Sequence, residues 1–166
     1  FDDSTRWSSF EDNRQSVYAA ARLNLADPFK LIIGASATSA ESSGISYGQD
    51  RKRSDSGISP YIGAVYDLSA NLSAYASYTG IFNPQYETDI NHQTLDPVKG
   101  NSKEIGLKGE FFDRKLNTSL ALFKASQKNL AESAGYDAFA TAYYRGVDSF
   151  SQGFELDFSG QITSRL

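Results

Sequence analysis

The chain has 166 residues with no cysteine, no methionine and one histidine, which excludes disulfides, thiol chemistry and cysteine- or histidine-rich metal sites. Sixteen basic and twenty acidic side chains give a net charge of −4, which argues against general nucleic-acid binding. The mean hydropathy is −0.44, and no apolar run approaches the ~20 residues of a membrane helix. Neither observation excludes a membrane barrel, because barrel strands alternate apolar and polar residues.

The first half of the chain contains stretches in which apolar and polar residues alternate with period two, the pattern of half-buried strands. They lie at residues 15–25, 29–38, 58–67 and 72–79. The first two meet at Asp27 and Pro28, which predicts a tight antiparallel hairpin. A second short turn is predicted at residues 67–71. Residues 44–57 are polar and are predicted to form a long loop.

The second half repeats this organisation. Strands are predicted at residues 104–111, 116–123 and 154–159, with a tight turn at 113–114 and long polar segments at 81–102 and 130–152. The fold class is therefore all-β, an antiparallel up-and-down meander of about seven strands. In such a meander all short turns lie at one rim and all long loops at the other, as in bacterial outer-membrane barrels. A soluble β-barrel or sandwich that binds a small ligand in an apolar interior remains the alternative.

Two groups of polar residues have residue types that could support catalysis. Residues 44–48 match the G-x-S-x-G nucleophile elbow, but no helix is predicted after them and His92 lies in another loop, so we predict that the protein is not an enzyme. Charged residues also recur at alternating positions of two predicted strands, so that they share one face of each strand: Glu104, Lys108 and Glu110 on the first, and Glu155 and Asp157 on a later one. Paired carboxylates can serve acid–base catalysis, but a hydrated barrel lumen is the favoured reading.

Other charged and aromatic residues suggest membrane contacts. The run Arg51, Lys52 and Arg53 is predicted either to bind lipopolysaccharide phosphates or to form a solvated loop. Tyrosines near strand ends are predicted to mark the membrane interface, at Tyr18, Tyr66 and Tyr78.

Six short blocks together resemble the C-terminal barrel of TonB-dependent siderophore receptors. They lie at residues 72–85, 95–100, 104–112, 116–123, 127–131 and 153–156. Each block is degenerate alone, but their shared order across about ninety residues makes the resemblance specific. The blocks are most similar to those of receptors for hydroxamate-type or mixed siderophores. One departure is Lys103, where the family usually has an aromatic residue, so we expect one lumen-facing ring to be missing.

The resemblance implies that residues 1–166 are part of the β-barrel domain of a receptor in the outer membrane of a Gram-negative bacterium. The whole barrel would have about 22 strands around an N-terminal plug, and this chain would hold neither the plug nor the complete barrel. The implied partners are a ferric siderophore, the receptor's own plug domain, the TonB energy-coupling complex, and outer-membrane lipid with lipopolysaccharide, but not nucleic acid. No cofactor is expected in this chain, since the siderophore carries the iron.

The long loops supply the candidate ligand-binding residues. A ferric siderophore is a compact polar chelate with apolar rims, which aromatic faces and a few hydrogen-bond donors suit. The candidates are Tyr86, His92, Tyr136, Tyr143, Tyr144 and Arg145. Arg145 is predicted to pair with an anionic group of the chelate. No catalytic residue and no protein ligand to a metal is predicted.

Overall fold

The computed structural model describes residues 8–46, 49–113 and 115–160 as one sheet of seven antiparallel strands in sequential order. The strands are β1 (Ser8–Ala26), β2 (Phe29–Ser46), β3 (Gln49–Ser69), β4 (Leu72–Asn83), β5 (Val98–Phe111), β6 (Leu116–Tyr136) and β7 (Ala142–Gly160). The predicted all-β meander is confirmed, and the sheet is open, with β1 and β7 as its edges. Within the described ranges there is no helix long and apolar enough to cross a membrane.

The register places apolar residues from every strand in one row on one face of the sheet, named here the apolar face. Directly opposed residues share a face, and one continuous row runs Leu23, Leu31, Ala64, Ala76, Ile105, Leu122 and Phe154. These side chains are not covered by the chain itself, since Ile105 is 57% exposed and Phe154 is 72% exposed. A contiguous exposed surface of this kind requires an apolar environment.

The opposite face, named here the polar face, carries hydrogen-bonded charged groups. Lys30 pairs with Asp67, whose carboxylate also accepts a hydrogen bond from Ser73 at 2.8 Å. Tyr75 donates to Glu104, and the Lys108 ammonium lies 4.9 Å from the centre of the Tyr75 ring. The predicted sharing of one face by Glu104, Lys108, Glu110, Glu155 and Asp157 is confirmed by the register. The sheet therefore separates a polar surface from an apolar one, which is opposite to the apolar interior that the soluble alternative predicts.

The three predicted short turns are present and lie at one rim. The connections are residues 27–28, 70–71 and 112–115, and Arg114 of the third connection lies outside the described residues. Neighbouring turns are linked through the backbone: the N–H of Asp67 donates to the carbonyl of Pro28 at 2.7 Å, and the N–H of Glu110 donates to that of Asn71 at 2.9 Å. These bonds hold the short-turn rim together.

Two of the three predicted long loops are wrong, because most of their residues are paired strand. β2 continues to Ser46 and β3 begins at Gln49, while β6 continues to Tyr136 and β7 begins at Ala142. Both faces of these extensions are polar, so the alternation that marks a half-buried strand disappears although the backbone pairing continues. Among the described residues, only 84–97 form a long irregular connection, between β4 and β5.

Two predictions about side-chain direction are also wrong. Tyr18 is opposed to Ser36 and lies on the polar face, because Val17 and Ala37 occupy the apolar face beside it. Lys103 is opposed to Tyr78 and Lys124, so it lies on the apolar face and no lumen ring is missing at this position. Tyr66 and Tyr78 do lie on the apolar face, opposed to Ala74 and Ile62 respectively.

Candidate functional site

The candidate site lies at the rim opposite the short turns, and we call this the loop rim. It contains the loop 84–97 and the tip of the β6–β7 hairpin at residues 137–141. The loop is ordered by its own hydrogen bonds. The N–H of Asp89 donates to the carbonyl of Gln93 at 2.8 Å, and that of Leu95 donates to Glu87 at 2.9 Å. The Asp89 carboxylate accepts the N–H groups of Asn91 and Gln93, both at 2.9 Å.

Gln85 anchors this loop to the sheet. Its side chain is 6% exposed, and its amide nitrogen donates to the carbonyls of Asp96 and Asn129, both at 2.6 Å. Asn129 lies at a bulge of β6 with a φ of 61°, a left-handed conformation that asparagine tolerates. A second link joins the loop to β7, where the N–H of Tyr144 donates to the carbonyl of Thr88 at 2.8 Å. The loop therefore crosses β5 and β6.

The loop also contacts β3, where Arg51 donates to the His92 carbonyl at 2.7 Å. Beside the start of the loop, Arg14 of β1 donates to the side chain of Asn83, the last residue of β4, at 3.4 Å. Arg14 is opposed to Ala40, which lies on the polar face and is 3% exposed. These contacts fold the loop inward, over the polar face.

The structure brings the six predicted site residues into two neighbouring segments. Tyr86 and His92 lie in the loop, and the other four lie at the end of β6 and the start of β7, at Tyr136, Tyr143, Tyr144 and Arg145. His92 Nε2 lies 3.6 Å from the carboxylate of Asp137 at the hairpin tip. With the Tyr144–Thr88 bond, this contact joins the two segments.

The exposure of these side chains varies. Tyr86 is 45% exposed and Tyr136 is 74% exposed, so both rings are open to a ligand. Tyr143 is half-buried, and its ring lies beside Gly135, its neighbour across the β6–β7 pair. Arg145 donates to one oxygen of Glu132 through two nitrogens, at 2.8 and 2.6 Å. This exposed pair contributes at most about 1 kcal/mol, so an anionic ligand can replace Glu132 as the partner of Arg145.

Sequence reasoning missed the residues that organise the site. Gln85 and Asn129 belong to the quoted family blocks, but nothing in their residue type or spacing indicates a hydrogen bond across 44 positions. The sequence predicts that Arg51 and Arg53 bind lipid phosphates or lie in a solvated loop. In the structure Arg51 contacts the loop and Arg53 pairs with Asp55, so both arginines have protein partners.

The elbow-like motif at residues 44–48 lies in a β-hairpin. Gly44 and Ile45 are paired with Arg51 and Asp50, and the chain continues into β3 rather than into a helix. Tyr47 and Gly48 lie outside the described residues. The strand–turn–helix setting that presents a nucleophile is therefore not the setting of Ser46.

Comparison with known proteins identifies the family. The model of the TonB-dependent receptor-like β-barrel matches residues 1–166. The ferripyoverdine receptor of Pseudomonas aeruginosa is 37% identical over 153 residues, covering 87% of this chain and 18% of the receptor. Its crystal structure with ferripyoverdine superposes with a TM-score of 0.79 at 34% identity, covering 93% of this chain and 21% of that one. The alcaligin outer-membrane receptor FauA of Bordetella pertussis gives a TM-score of 0.76 at 32% identity, covering 95% and 28%.

These findings confirm the predicted resemblance. The chain spans about a fifth of the length of the curated relatives it matches, since the match covers 18% to 20% of each relative. The matching structures are receptors of the Gram-negative outer membrane, which confirms the predicted localisation and assigns the apolar face to lipid. The family is one of receptors rather than enzymes. The seven strands and their loop rim belong to the TonB-dependent receptor-like β-barrel family.

Proposed function

We propose that the receptor whose wall includes these seven strands binds a ferric siderophore at the loop rim and imports it across the outer membrane. The observation that carries this proposal is the anchored loop 84–97, which Gln85 and Arg51 hold over the polar face. It places exposed aromatic rings and hydrogen-bond donors above the lumen side of the wall. A binding surface held in place before the ligand arrives loses less entropy on binding.

The ligand chemistry follows from the side chains present. Tyr86 and Tyr136 offer exposed rings for apolar rims of a chelate, and His92 and Arg145 offer donors for its oxygen atoms. The iron needs no protein ligand because the siderophore already surrounds it. Two of the relatives are receptors for ferripyoverdine and alcaligin by name, and the higher identity is to the former. We therefore propose a pyoverdine-like ferric chelate as the substrate.

Import needs parts of the receptor beyond these strands. We propose that an N-terminal plug fills the lumen against the polar face and that the TonB complex drives its rearrangement. In this scheme the chain contributes a wall with hydrogen-bonded polar groups, such as Tyr75 with Glu104 and Ser119 with Asp157 at 3.1 Å. These groups can contact the plug or water and need no apolar partner.

Ferric-siderophore uptake by a receptor-deletion strain tests the function. The strain is complemented with the full-length receptor or with one lacking residues 84–97. We expect growth on ferripyoverdine as the sole iron source with the intact receptor and its loss with the shortened one. Equal iron uptake with and without the intact receptor would rule out siderophore import.

Two variants of the Arg145–Glu132 pair test the binding surface in the full-length receptor. Arg145→Gln removes a charged donor, so we expect roughly tenfold weaker binding of the ferric siderophore, the effect of a lost charge-assisted hydrogen bond. Glu132→Gln is the matched control, because it breaks the same salt bridge but frees Arg145, and it should leave the affinity unchanged or raise it. Equal losses in both variants would mean that the pair has only a structural role.

A further inference from the structure

β4 separates from β3 at the loop rim although both strands continue beyond the point of separation. The last paired residues are Tyr61 and Thr79, whereas β3 extends to Gln49 and β4 stays paired with β5 as far as Asn83. Among the described strands, residues 49–59 of β3 are therefore paired with β2 alone. A strand edge of this kind presents N–H and C=O groups to which another strand can pair.

Pro60 accounts for the end of the β3–β4 pairing. The N–H groups of successive residues in an antiparallel strand point to opposite neighbours. The N–H of Asp67 points to β2, since it donates to the carbonyl of Pro28, so even-numbered positions of β3 direct their N–H groups to β4. Position 60 is one of these, and proline has no N–H to donate. The proline ring occupies that place, because a Cβ added at Gly80 would lie only 2.5 Å from the Pro60 Cδ.

Pro84 removes a second N–H group from the same ladder. The N–H of Glu110 donates to the carbonyl of Asn71, so odd-numbered positions of β4 face β5 and even-numbered positions face β3. If this alternation continued beyond Asn83, position 84 would direct its N–H to Ser56 of β3, but it is again a proline. An extended β4 would therefore lack two of the hydrogen bonds that join it to β3.

The chain turns inward where these bonds are missing. In a continued register Phe82 would stand opposite Ile58 on the apolar face. Its ring instead lies against Gly57 on the polar face, where an added Cβ would be 2.3 Å from it. Asn83 accepts a hydrogen bond from Arg14 of β1, although β1 and β4 are three strands apart, about 14 Å in a flat sheet. The end of β4 therefore lies over the polar face of the strands before it.

The edge of β3 nevertheless matches the loop in charge. If the observed β3–β4 register continued, Arg51 would stand opposite Asp89 and Arg53 would stand opposite Glu87. All four positions would lie on the polar face, and opposite charges placed directly across two strands stabilise their pairing. A loop that stands beside residues 49–59 of β3, named here the upright state, therefore competes with the loop folded over the polar face.

We propose that Pro60 and Pro84 are positioning residues that keep the loop 84–97 over the polar face by removing two hydrogen bonds from the upright state. The loop is already a small hairpin, with a bridge between Thr88 and Thr94, so the two states differ mainly in where this hairpin lies. The bonds of Gln85 stabilise the folded-in position, and the prolines weaken its competitor. This inference concerns the fold of the loop rim and does not depend on which ligand the receptor binds.

Disulfide trapping in the full-length receptor measures the upright state. In that state Lys52 and Thr88 are a directly opposed, hydrogen-bonded pair with Cα atoms about 5.5 Å apart, which suits a disulfide. In the folded-in loop Thr88 accepts a hydrogen bond from Tyr144 of β7, four strands from β3. The chain has no cysteine of its own, so Lys52→Cys/Thr88→Cys reports on this approach alone within it.

Restoring the two N–H groups should favour the upright state. Each net backbone hydrogen bond changes a population about fivefold, so we expect the disulfide to form about fivefold faster with Pro60→Val or Pro84→Val and about 30-fold faster with both. Pro28→Val is the matched control, because Pro28 lies in a short turn at the opposite rim, and it should leave the rate unchanged. The pair Lys52→Cys/Glu87→Cys faces opposite sides of the upright ladder and should not respond to the prolines.

Three results would overturn the proposal. The first is the same rate of disulfide formation with and without the two proline substitutions. The second is an equal acceleration by Pro28→Val. The third is an equal acceleration for Lys52→Cys/Glu87→Cys, which would indicate general loosening of the loop rim instead of a defined register. The crosslinking needs no siderophore, so siderophore binding by the same variants tests the proposed function separately.

Discussion

Replacing Gln85 tests whether one buried side chain holds the loop 84–97 over the polar face. Gln85 is 6% exposed and donates two hydrogen bonds of 2.6 Å, one within the loop and one to β6. Gln85→Ala removes both donors and leaves two carbonyl groups without their partner. At about 1 kcal/mol net for each bond, the closed loop loses about 2 kcal/mol relative to open states, which increases the open population about 30-fold.

Hydrogen exchange of the full-length receptor measures this change directly. The reporting amides are those of Asp89, Leu95 and Tyr144, which all donate within or to the loop. We expect their exchange to accelerate about 30-fold in Gln85→Ala, while amides in the centre of β5 keep their rates. Gln93→Ala is the matched control, because Gln93 is an exposed glutamine of the same loop whose bonds are made by its backbone. Unchanged exchange in Gln85→Ala would refute the anchoring role.

Three further substitutions have expected effects on local stability. Gly57→Ala places a Cβ in the ring of Phe82, so we expect a loss of about 1–3 kcal/mol in denaturant unfolding of the receptor. In a Phe82→Ala background the same glycine substitution should cost much less, and an equal cost in both backgrounds would contradict the clash. Asn129→Val forces a β-branched residue to a φ of 61° and should lower the free energy of unfolding by about 1–2 kcal/mol, whereas Asn129→Gly should be tolerated. An equal loss of stability in both variants would mean that the asparagine side chain, and not the backbone conformation, is what matters. Asp137→Ala removes the carboxylate that accepts two N–H groups at 2.8 Å, so protection at residues 139–141 should fall; unchanged protection would contradict this.

The strands were predictable wherever one face meets lipid. At Ile105 and Leu107 the alternation is strong because every second residue must be apolar, and the tight turns near Pro28 and Asn71 have the expected residue types. The extensions of β2, β3, β6 and β7 were not predictable in this way, because strands with water on both faces need no alternation. Their pairing depends on backbone bonds, which residue types do not report.

The candidate site could be predicted in composition but not in arrangement. Loop aromatics such as Tyr86 and Tyr144 stand out by residue type, whereas the role of Gln85 depends on a bulge in β6 that places the Asn129 carbonyl within reach. The direction of Lys103 was missed for a related reason. The family usually has an aromatic residue at this position, which suggested that the side chain faces the lumen. The pairing of Lys103 with Lys124 instead places it on the apolar face.

Spin-label accessibility in the full-length receptor tests most directly the claim that this sheet is a lipid-facing barrel wall. Labels are placed one at a time at successive residues 104–108 of β5 and 119–122 of β6, in outer-membrane vesicles. We expect high oxygen collision rates at Ile105, Leu107 and Leu122 and low rates at Glu104 and the other polar-face positions, with period two along each strand. Equal rates on both faces, or lipid contact at Glu104, would contradict the account.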